Sequence, residues 1–225
     1  MYHQQLVPGQ RGRHRHDIGY VALVLSGTYE EVGDTGRWLG GAGDLVYHNA
    51  YEAHRNLISS ECSIVNIEVP SHLPLPPVFR VREPERLLAA ASSNHAIIGS
   101  HLIPTETKRP VVMDWPDLLA RDLRNQPQSL GKWAEQHSLK PETISRGFRK
   151  AYGITPAKYR REAQARKALR MIAKADGTIA DIAARAGFSD QAHMSRTLVE
   201  LTGYPPRRLQ QAKSNSFNTV LLSAG

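Results

Sequence analysis

The sequence has a single cysteine, Cys62, among its 225 residues, and it has no apolar run long enough to span a bilayer. One cysteine cannot form a disulfide within the chain, so we expect Cys62 to be a small buried residue of a strand. The first residues are polar and basic, which predicts no signal peptide and no membrane partner. These absences favour a cytoplasmic protein.

Excess positive charge is confined to the second part of the chain. Residues 130–213 hold 17 Lys and Arg against 7 Asp and Glu, whereas residues 1–129 have a slight acidic excess. A basic surface can be a solvated face and nothing more, but a module that binds a polyanion also needs one. We therefore expect nucleic acid to bind the carboxy-terminal region.

Residues 129–209 contain one pattern twice. The segments 129–139 and 178–188 align with their apolar residues at the same positions, and after one inserted residue Ser145-Arg146 align with Ser195-Arg196. Self-similarity at a fixed period indicates a duplicated structural unit. Each copy has a short helix, a three-residue turn and a second helix closed by a glycine. The sequence predicts two helix-turn-helix units.

The second helix of each copy should present polar side chains to the major groove. These helices are predicted from Pro141 to about Ala151 and from Asp190 onward, with apolar residues inward at helical spacing. Arg can bond guanine, Gln can bond adenine, and Ala or Thr can contact the thymine methyl group. Exposed helix surface is the alternative for any single residue. The residues expected to contact double-stranded DNA are Glu142, Thr143, Ser145, Arg146, Arg149, Gln191, Ala192, His193, Ser195 and Arg196.

One long basic helix is predicted between the copies, from Pro156 to about Lys174. Roughly 19 residues at about 1.5 Å each give a rod of about 28 Å. One turn of B-DNA is about 34 Å, so the rod could set two recognition helices into successive major grooves. A single chain could then bind two adjacent DNA segments.

Before residue 70 the pattern is one of short strands and glycine-rich turns, typical of an antiparallel sandwich or barrel. The predicted strands are 20–25, 28–32, 45–48 and 63–69. After a proline-rich breaker, helices are expected over 84–94 and 114–124. Packing within the chain is favoured for these helices over dimer contacts.

Histidines concentrate in the amino-terminal part. His14, His16 and Tyr20 would share one face of a strand, and His54 could converge on them from a later turn. Neutral imidazoles at this spacing are good ligands for zinc, iron, copper or nickel. Two alternatives remain: ordinary polar residues with satisfied hydrogen bonds, and a metal-free pocket.

Residues 129–210 resemble the DNA-binding domain of the AraC/XylS family of bacterial transcription regulators. The resemblance is carried by Ile179–Ala183, Gly187–Gln191, Ser195-Arg196 and Gly203–Pro206. It implies that RNA polymerase is a partner and that a homodimer could form. It also implies that the following residues lie in the grooves: Glu142, Thr143, Arg146, Gln191, Ala192, Ser195 and Arg196. Leu198-Val199 stand where the family usually has Phe followed by Lys, so a phosphate-contacting lysine is missing from the second copy.

The amino-terminal region resembles a cupin, the β-barrel that often forms the sensor half of such regulators. The first cupin motif has His-x-His followed by Glu, and Tyr20 stands at the Glu position here, while His48 stands where proline is usual. The resemblance implies His14, His16 and His54 as ligands of a possible divalent metal. It also implies that Tyr20 joins these histidines in a pocket for a small-molecule effector.

Together these patterns predict an α+β two-domain protein. A cupin-like antiparallel β-barrel (1–75) is followed by linker helices (76–128), an all-α tandem helix-turn-helix domain (129–213) and a tail (214–225). The predicted function is sequence-specific transcription regulation, without enzyme activity. The alternatives are a metal-dependent cupin enzyme with an attached DNA-binding domain, and an architectural DNA binder without an effector.

Overall fold

The computed structural model gives the chain two parts, a β-sandwich followed by a helical region. The predicted tail (214–225) lies outside the described residues, as do the edges of other predicted segments at 94, 126–128 and 212–213. The described residues are 1–71, 73–93, 98–125 and 129–211.

The amino-terminal part consists of two antiparallel sheets. Their strands are β1 (Tyr2–Leu6), β2 (Gly9–Arg15), β3 (Tyr20–Ser26), β4 (Thr28–Gly33), β5 (Gly36–Gly41), β6 (Leu45–His48), β7 (Ala53–Ile58), β8 (Cys62–Glu68), β9 (Val78–Arg80) and β10 (Glu106–Thr107). One sheet has the strand order β1-β8-β3-β6-β9-β10 and the other β2-β7-β4-β5. This confirms the predicted antiparallel β architecture, with β9 and β10 joining the first sheet from beyond residue 75.

The central strands of the first sheet, β3, β6 and β8, are buried on both faces. The inner face of this sheet packs against the second sheet around Val24, Tyr29 and Trp38. Its outer face packs against Leu87 and Ala91 of a helix that follows β9. The continuous buried run of β3, residues 20–24, fits this position, because a strand covered on both faces does not need to alternate apolar with polar residues.

The carboxy-terminal part is helical, as predicted. Four of the helices between residues 130 and 202 begin where a Ser, Thr or Asp side chain accepts a backbone N–H group, and three of the helices in this range end at left-handed glycines, which are local signals. The helices of the chain are α1 (Pro84–Ser93), α2 (Ile98–His101), α3 (Trp115–Asn125), α4 (Leu130–Gln136), α5 (Pro141–Tyr152), α6 (Pro156–Ala173), α7 (Ile179–Ala186) and α8 (Gln191–Thr202).

Each helix-turn-helix pair rests on a preceding helix. In the first copy α3 packs Leu119 and Leu123 against Trp133 and Phe148, so this helix packs within the chain. In the second copy α6 packs against α7 and α8 in a separate core. The predicted rod is therefore 18 residues long, about 27 Å, and it is also the supporting helix of the second unit.

None of the described helices combines the length and apolar character that crossing a bilayer requires.

Candidate DNA interface and ligand cavity

Helix α5, the first of the two predicted recognition helices, buries one face and exposes the other. Pro141 occupies its first turn, and Ile144, Phe148 and Tyr152 lie in the core. Gly153 closes the helix at a φ of +70°, a left-handed conformation that glycine adopts without strain. The predicted groove residues of this helix, Glu142, Thr143, Ser145, Arg146 and Arg149, are all exposed.

The second predicted recognition helix, α8, begins one residue later than expected, because Asp190 is its N-cap. The Asp190 carboxylate accepts the His193 backbone N–H at 2.7 Å, and this hydrogen bond holds the pKa of Asp190 below its ordinary value. Gln191, Ala192 and Arg196 are exposed, whereas His193 and Ser195 are half-buried. The Ser195 hydroxyl donates to the carbonyl of Gln191 at 2.8 Å.

Both copies thus place an exposed arginine at the same register, Arg146 in α5 and Arg196 in α8. Neither arginine has an ion-pair partner among the described residues. Both remain available for an external acceptor.

A small cavity of about 90 Å³ lies between the two sheets of the sandwich. The predicted site residues converge there, with ring centroids 4.4 Å apart for His14 and His54 and 5.0 Å apart for His16 and Tyr20. The cavity is lined by Tyr2, Gln4, Leu6, Arg11, His14, His16, Tyr20, Ala22, Tyr29, His48, His54, Asn56, Ile64 and Asn66.

The predicted reason for this convergence was wrong. His14, His16 and Tyr20 do not share a strand, because β2 ends at Arg15 and β3 begins at Tyr20 in the other sheet. His14 instead pairs with His54 across the β2–β7 ladder. Tyr20 faces them from across the sandwich.

Two further polar residues of this region were not predicted as site residues. Glu31 and His48 are buried, at 4% and 5% exposure, and Glu31 Oε2 lies 3.4 Å from His48 Nε2. The His48 ring also stacks on Tyr20 and lies 4.4 Å from the His54 ring. The alternation of side chains along the strands could have identified both as inward-facing. Glu31 shares a face with the core residue Tyr29 in β4, and His48 shares a face with the core residue Val46 in β6.

Burial disfavours the charged forms of these groups. It lowers the pKa of His48 to about 3 and the pKa of His54 well below its ordinary value, and it raises the pKa of Glu31 well above its ordinary value. Neutral imidazoles offer a free nitrogen lone pair, which is the form that binds a metal.

Two sets of three donor groups in this region could hold an ion. The donor atoms of His14, His16 and His54 all lie within 4.8 Å of one another, and the same holds for Glu31, His48 and His54. The residues therefore fit the divalent metal that the cupin resemblance implied. The carboxylate of Glu31 is a donor that was not predicted.

Strand β2 joins the cavity to the helical region. His14 lines the cavity, whereas Arg13 and Arg15, its neighbours on the opposite face, each donate to Glu162 of α6 at 3.0 Å. Since side chains alternate along a strand, these contacts follow from a single backbone segment.

Strand β7 repeats the arrangement. His54 lines the cavity, and Arg55 donates to the carbonyls of Lys150 and Ala151, at 2.7 and 3.3 Å. These carbonyls belong to the last turn of α5, where a cation also interacts favourably with the helix dipole.

A buried ion cluster lies at the junction between the sandwich and α6. Asp34 contacts Arg13 at 2.5 Å and Arg166 at 2.6 Å, the latter outside hydrogen-bonding geometry, and it accepts the Ala53 N–H at 2.7 Å. Although burial opposes the charge of Arg13, the carboxylates of Asp34 and Glu162 raise its pKa above the ordinary value. Arg166 is therefore a buried ion-pair partner of the sandwich and does not belong to an exposed basic face of α6.

Comparisons with known proteins match the carboxy-terminal region. A family model described as a helix-turn-helix domain matches residues 133–212. The HTH-type transcriptional activator RhaS of Escherichia coli O139:H28 is 32% identical over 80 residues, which are 36% of this chain and 29% of the relative. This chain therefore spans less than a third of that relative's length.

Solved structures match over different lengths. The C-terminal domain of the response regulator AraT from Geobacillus stearothermophilus is 20% identical, with a TM-score of 0.39 over 43% of this chain and 80% of that chain. Apo ToxT K231A from Vibrio cholerae is 8% identical, with a TM-score of 0.40 over 92% of this chain and 96% of that one. The family model, the curated relative and the duplicated helical units together show that the carboxy-terminal region of this chain carries a helix-turn-helix domain.

Proposed function

We propose that this protein is a sequence-specific transcription regulator that contacts two adjacent DNA segments through α5 and α8. The observation that carries the proposal is the duplication of an exposed arginine, at 146 and 196, on helices whose other faces are buried. The basic charge excess of this region supports it as well. A regulatory rather than enzymatic role follows, exercised in the cytoplasm where bacterial DNA lies.

The residues that we propose for the grooves are those predicted from the sequence. Exposed Arg146, Arg149, Gln191 and Arg196 carry the hydrogen-bonding capacity for base edges. His193 and Ser195 are half-buried, and the Ser195 hydroxyl donates within its own helix. We therefore expect these two to contribute less than the arginines do.

The test uses Arg146→Ala and Arg196→Ala in the full chain. A binding site is first selected from a random DNA pool, and affinity is then measured by fluorescence anisotropy on that site and on a scrambled one. Each variant should lose about 1–3 kcal/mol of binding free energy on the selected site, which is about a 5–150-fold loss of affinity, and much less on the scrambled one. Arg86→Ala is the control, because it removes an exposed charge from α1 of the amino-terminal part.

Equal weakening on both DNA sequences would mean that these arginines contact phosphate only. Affinities unchanged from those of the unmodified chain would contradict the assignment of α5 and α8 as recognition helices.

We propose further that the cavity binds a small-molecule or ionic effector and that β2 and β7 connect it to the DNA-binding helices. The support is the alternation in both strands, with His14 and His54 at the cavity and Arg13, Arg15 and Arg55 on α5 or α6. An effector changes DNA affinity only if it binds two arrangements of the junction with different affinity. The enzyme alternative would require turnover at this cavity in addition to binding.

RNA polymerase is a further partner that we propose, since the matched relative RhaS is named a transcriptional activator. A homodimer is not required, because one chain carries both recognition helices. The division into a sensor (1–75), linker helices (76–128) and a DNA-binding domain (129–213) stays a prediction. The packing favours counting α1 with the sandwich and α3 with the helical part.

A further inference from the structure

The buried end of the sandwich cavity has the geometry of a metal site that the histidine motif does not account for. We propose that Glu31, His48 and His54 bind one divalent first-row transition-metal ion, and that His14 and His16 are not its ligands. The proposal names the ligand of the effector cavity and so rests on that part of the proposed function.

Three strands supply the three side chains. Glu31 belongs to β4 and His54 to β7 of one sheet, while His48 comes from β6 of the facing sheet. All three residues are at most 5% exposed, whereas His14 and His16 are only half-buried. Rigid strands on both sides fix the donor atoms, which favours a preorganised site.

The spacing of the donors matches coordination better than a direct hydrogen bond. A transition-metal ion binds imidazole nitrogen and carboxylate oxygen at about 2.0–2.2 Å, so two ligands at a tetrahedral angle lie about 3.4 Å apart. Glu31 Oε2 and His48 Nε2 are 3.4 Å apart. A hydrogen bond between them would bring these atoms to about 2.7–3.2 Å.

Two buried atoms of the set have no hydrogen-bond partner among the residues that the structure describes. They are Glu31 Oε2 and His54 Nδ1, and the nearby Asn56 Oδ1 is in the same condition. Buried polar atoms nearly always have a partner, and an ion is one of the few explanations when no protein group supplies it. This observation is independent of the spacing argument.

The chemistry of the donors selects the class of metal. Two imidazoles and one carboxylate suit zinc or ferrous iron, and this set leaves coordination positions open to another ligand. Calcium and magnesium prefer all-oxygen sites. We therefore expect zinc and cobalt(II), used as probes, to bind, and calcium not to compete.

The experiment measures zinc binding to the full chain by calorimetry after chelator treatment, without DNA. The variants are Glu31→Gln and His48→Gln, compared with His14→Ala and His16→Ala. Loss of a direct ligand should cost at least about 100-fold in affinity, because loss of a second-shell partner already costs about 10–100-fold. The unmodified chain should bind one zinc ion, and the His14 and His16 variants should stay below that 100-fold loss.

The proposal is overturned if no stoichiometric zinc binds, or if either Glu31→Gln or His48→Gln loses less than about 100-fold. It is also overturned if His14→Ala or His16→Ala loses that much. X-ray absorption on the zinc-loaded unmodified chain gives a readout that does not depend on folding of a variant. It should count two imidazole ligands, and a count of three would indicate the His-x-His motif instead.

Because these measurements use no DNA, their failure leaves the test of Arg146 and Arg196 untouched, and the reverse also holds.

Discussion

Glu162 of α6 is a carboxylate through which strand β2 of the sandwich contacts the helical part of the chain. It accepts hydrogen bonds from Arg13 and Arg15 of β2, at 3.0 Å each, and its side chain is 8% exposed. Replacement by Gln keeps the size of the side chain but removes its charge. We expect Glu162→Gln to destabilise the protein at this junction.

The magnitude follows from the surroundings of the two arginines. A hydrogen bond to a charged group contributes about 1.5–3 kcal/mol, and Arg13, with a side chain 10% exposed, should lose most of one. Arg13 keeps its contact with Asp34, which limits the loss. The Arg15 side chain is 33% exposed and its charge remains partly solvated. The loss of its contact with Glu162 should therefore lower the free energy of unfolding by less than about 1 kcal/mol. The expected total is about 2–4 kcal/mol.

Urea unfolding of the full chain measures this loss. Trp38 reports on the sandwich, and Trp115 and Trp133 report on the helical part, so fluorescence follows both sides of the junction. The matched control is Glu200→Gln on α8, an exposed carboxylate whose loss should stay within about 0.5 kcal/mol.

A loss for Glu162→Gln no larger than that of the control would refute the reasoning. The ion cluster would then not stabilise the junction in solution, and β2 would lose the contact through which we propose that the cavity affects the DNA-binding helices.

Three further substitutions test the helical packing by thermal or urea unfolding. Gly147→Ala should destabilise by about 1–3 kcal/mol, because a Cβ there would lie 2.4 Å from Cζ2 of Trp115; an unchanged stability would contradict the tight contact of α3 and α5. Gly131→Ala on α4 meets no atom within 4 Å and should stabilise by about 0.5–1 kcal/mol, so a loss there would contradict the open surroundings. Thr178→Ala should cost about 1 kcal/mol by removing the capping box with Asp181, and no change would mean that the cap is not formed.

The helical part could be predicted closely because its signals are local. The Thr178 cap, Pro141 in the first turn of α5 and the left-handed Gly203 each define a helix end from neighbouring residues alone. The apolar positions of the two copies repeat, so each unit confirmed the other. The one-residue error at Asp190 arose because a cap and a first helical residue look alike in sequence.

The cavity could be predicted only in part, because strands from two sheets build it. The sequence predicted His14, His16, Tyr20 and His54 together but placed three of them on one strand. Glu31 stayed hidden, although its alternation with Tyr29 indicated an inward side chain. Alternation tells which face a residue occupies, but it does not tell which faces meet.

The junction could not be predicted at all. Arg13 and Glu162 are 149 residues apart, and neither carries a local signal that the two surfaces pack together. Arg166 was part of a basic helix in the sequence and is a buried ion-pair partner in the fold.

The sequence by itself determined the duplicated helix-turn-helix units and the exposed arginines, because helix periodicity, caps and charge are properties of short segments. Only the tertiary structure decided which carboxylate joins the histidines and which arginines connect the sandwich to α6. Those contacts depend on long-range packing of strands and helices, and the energy of a buried charge is set by its neighbours in space.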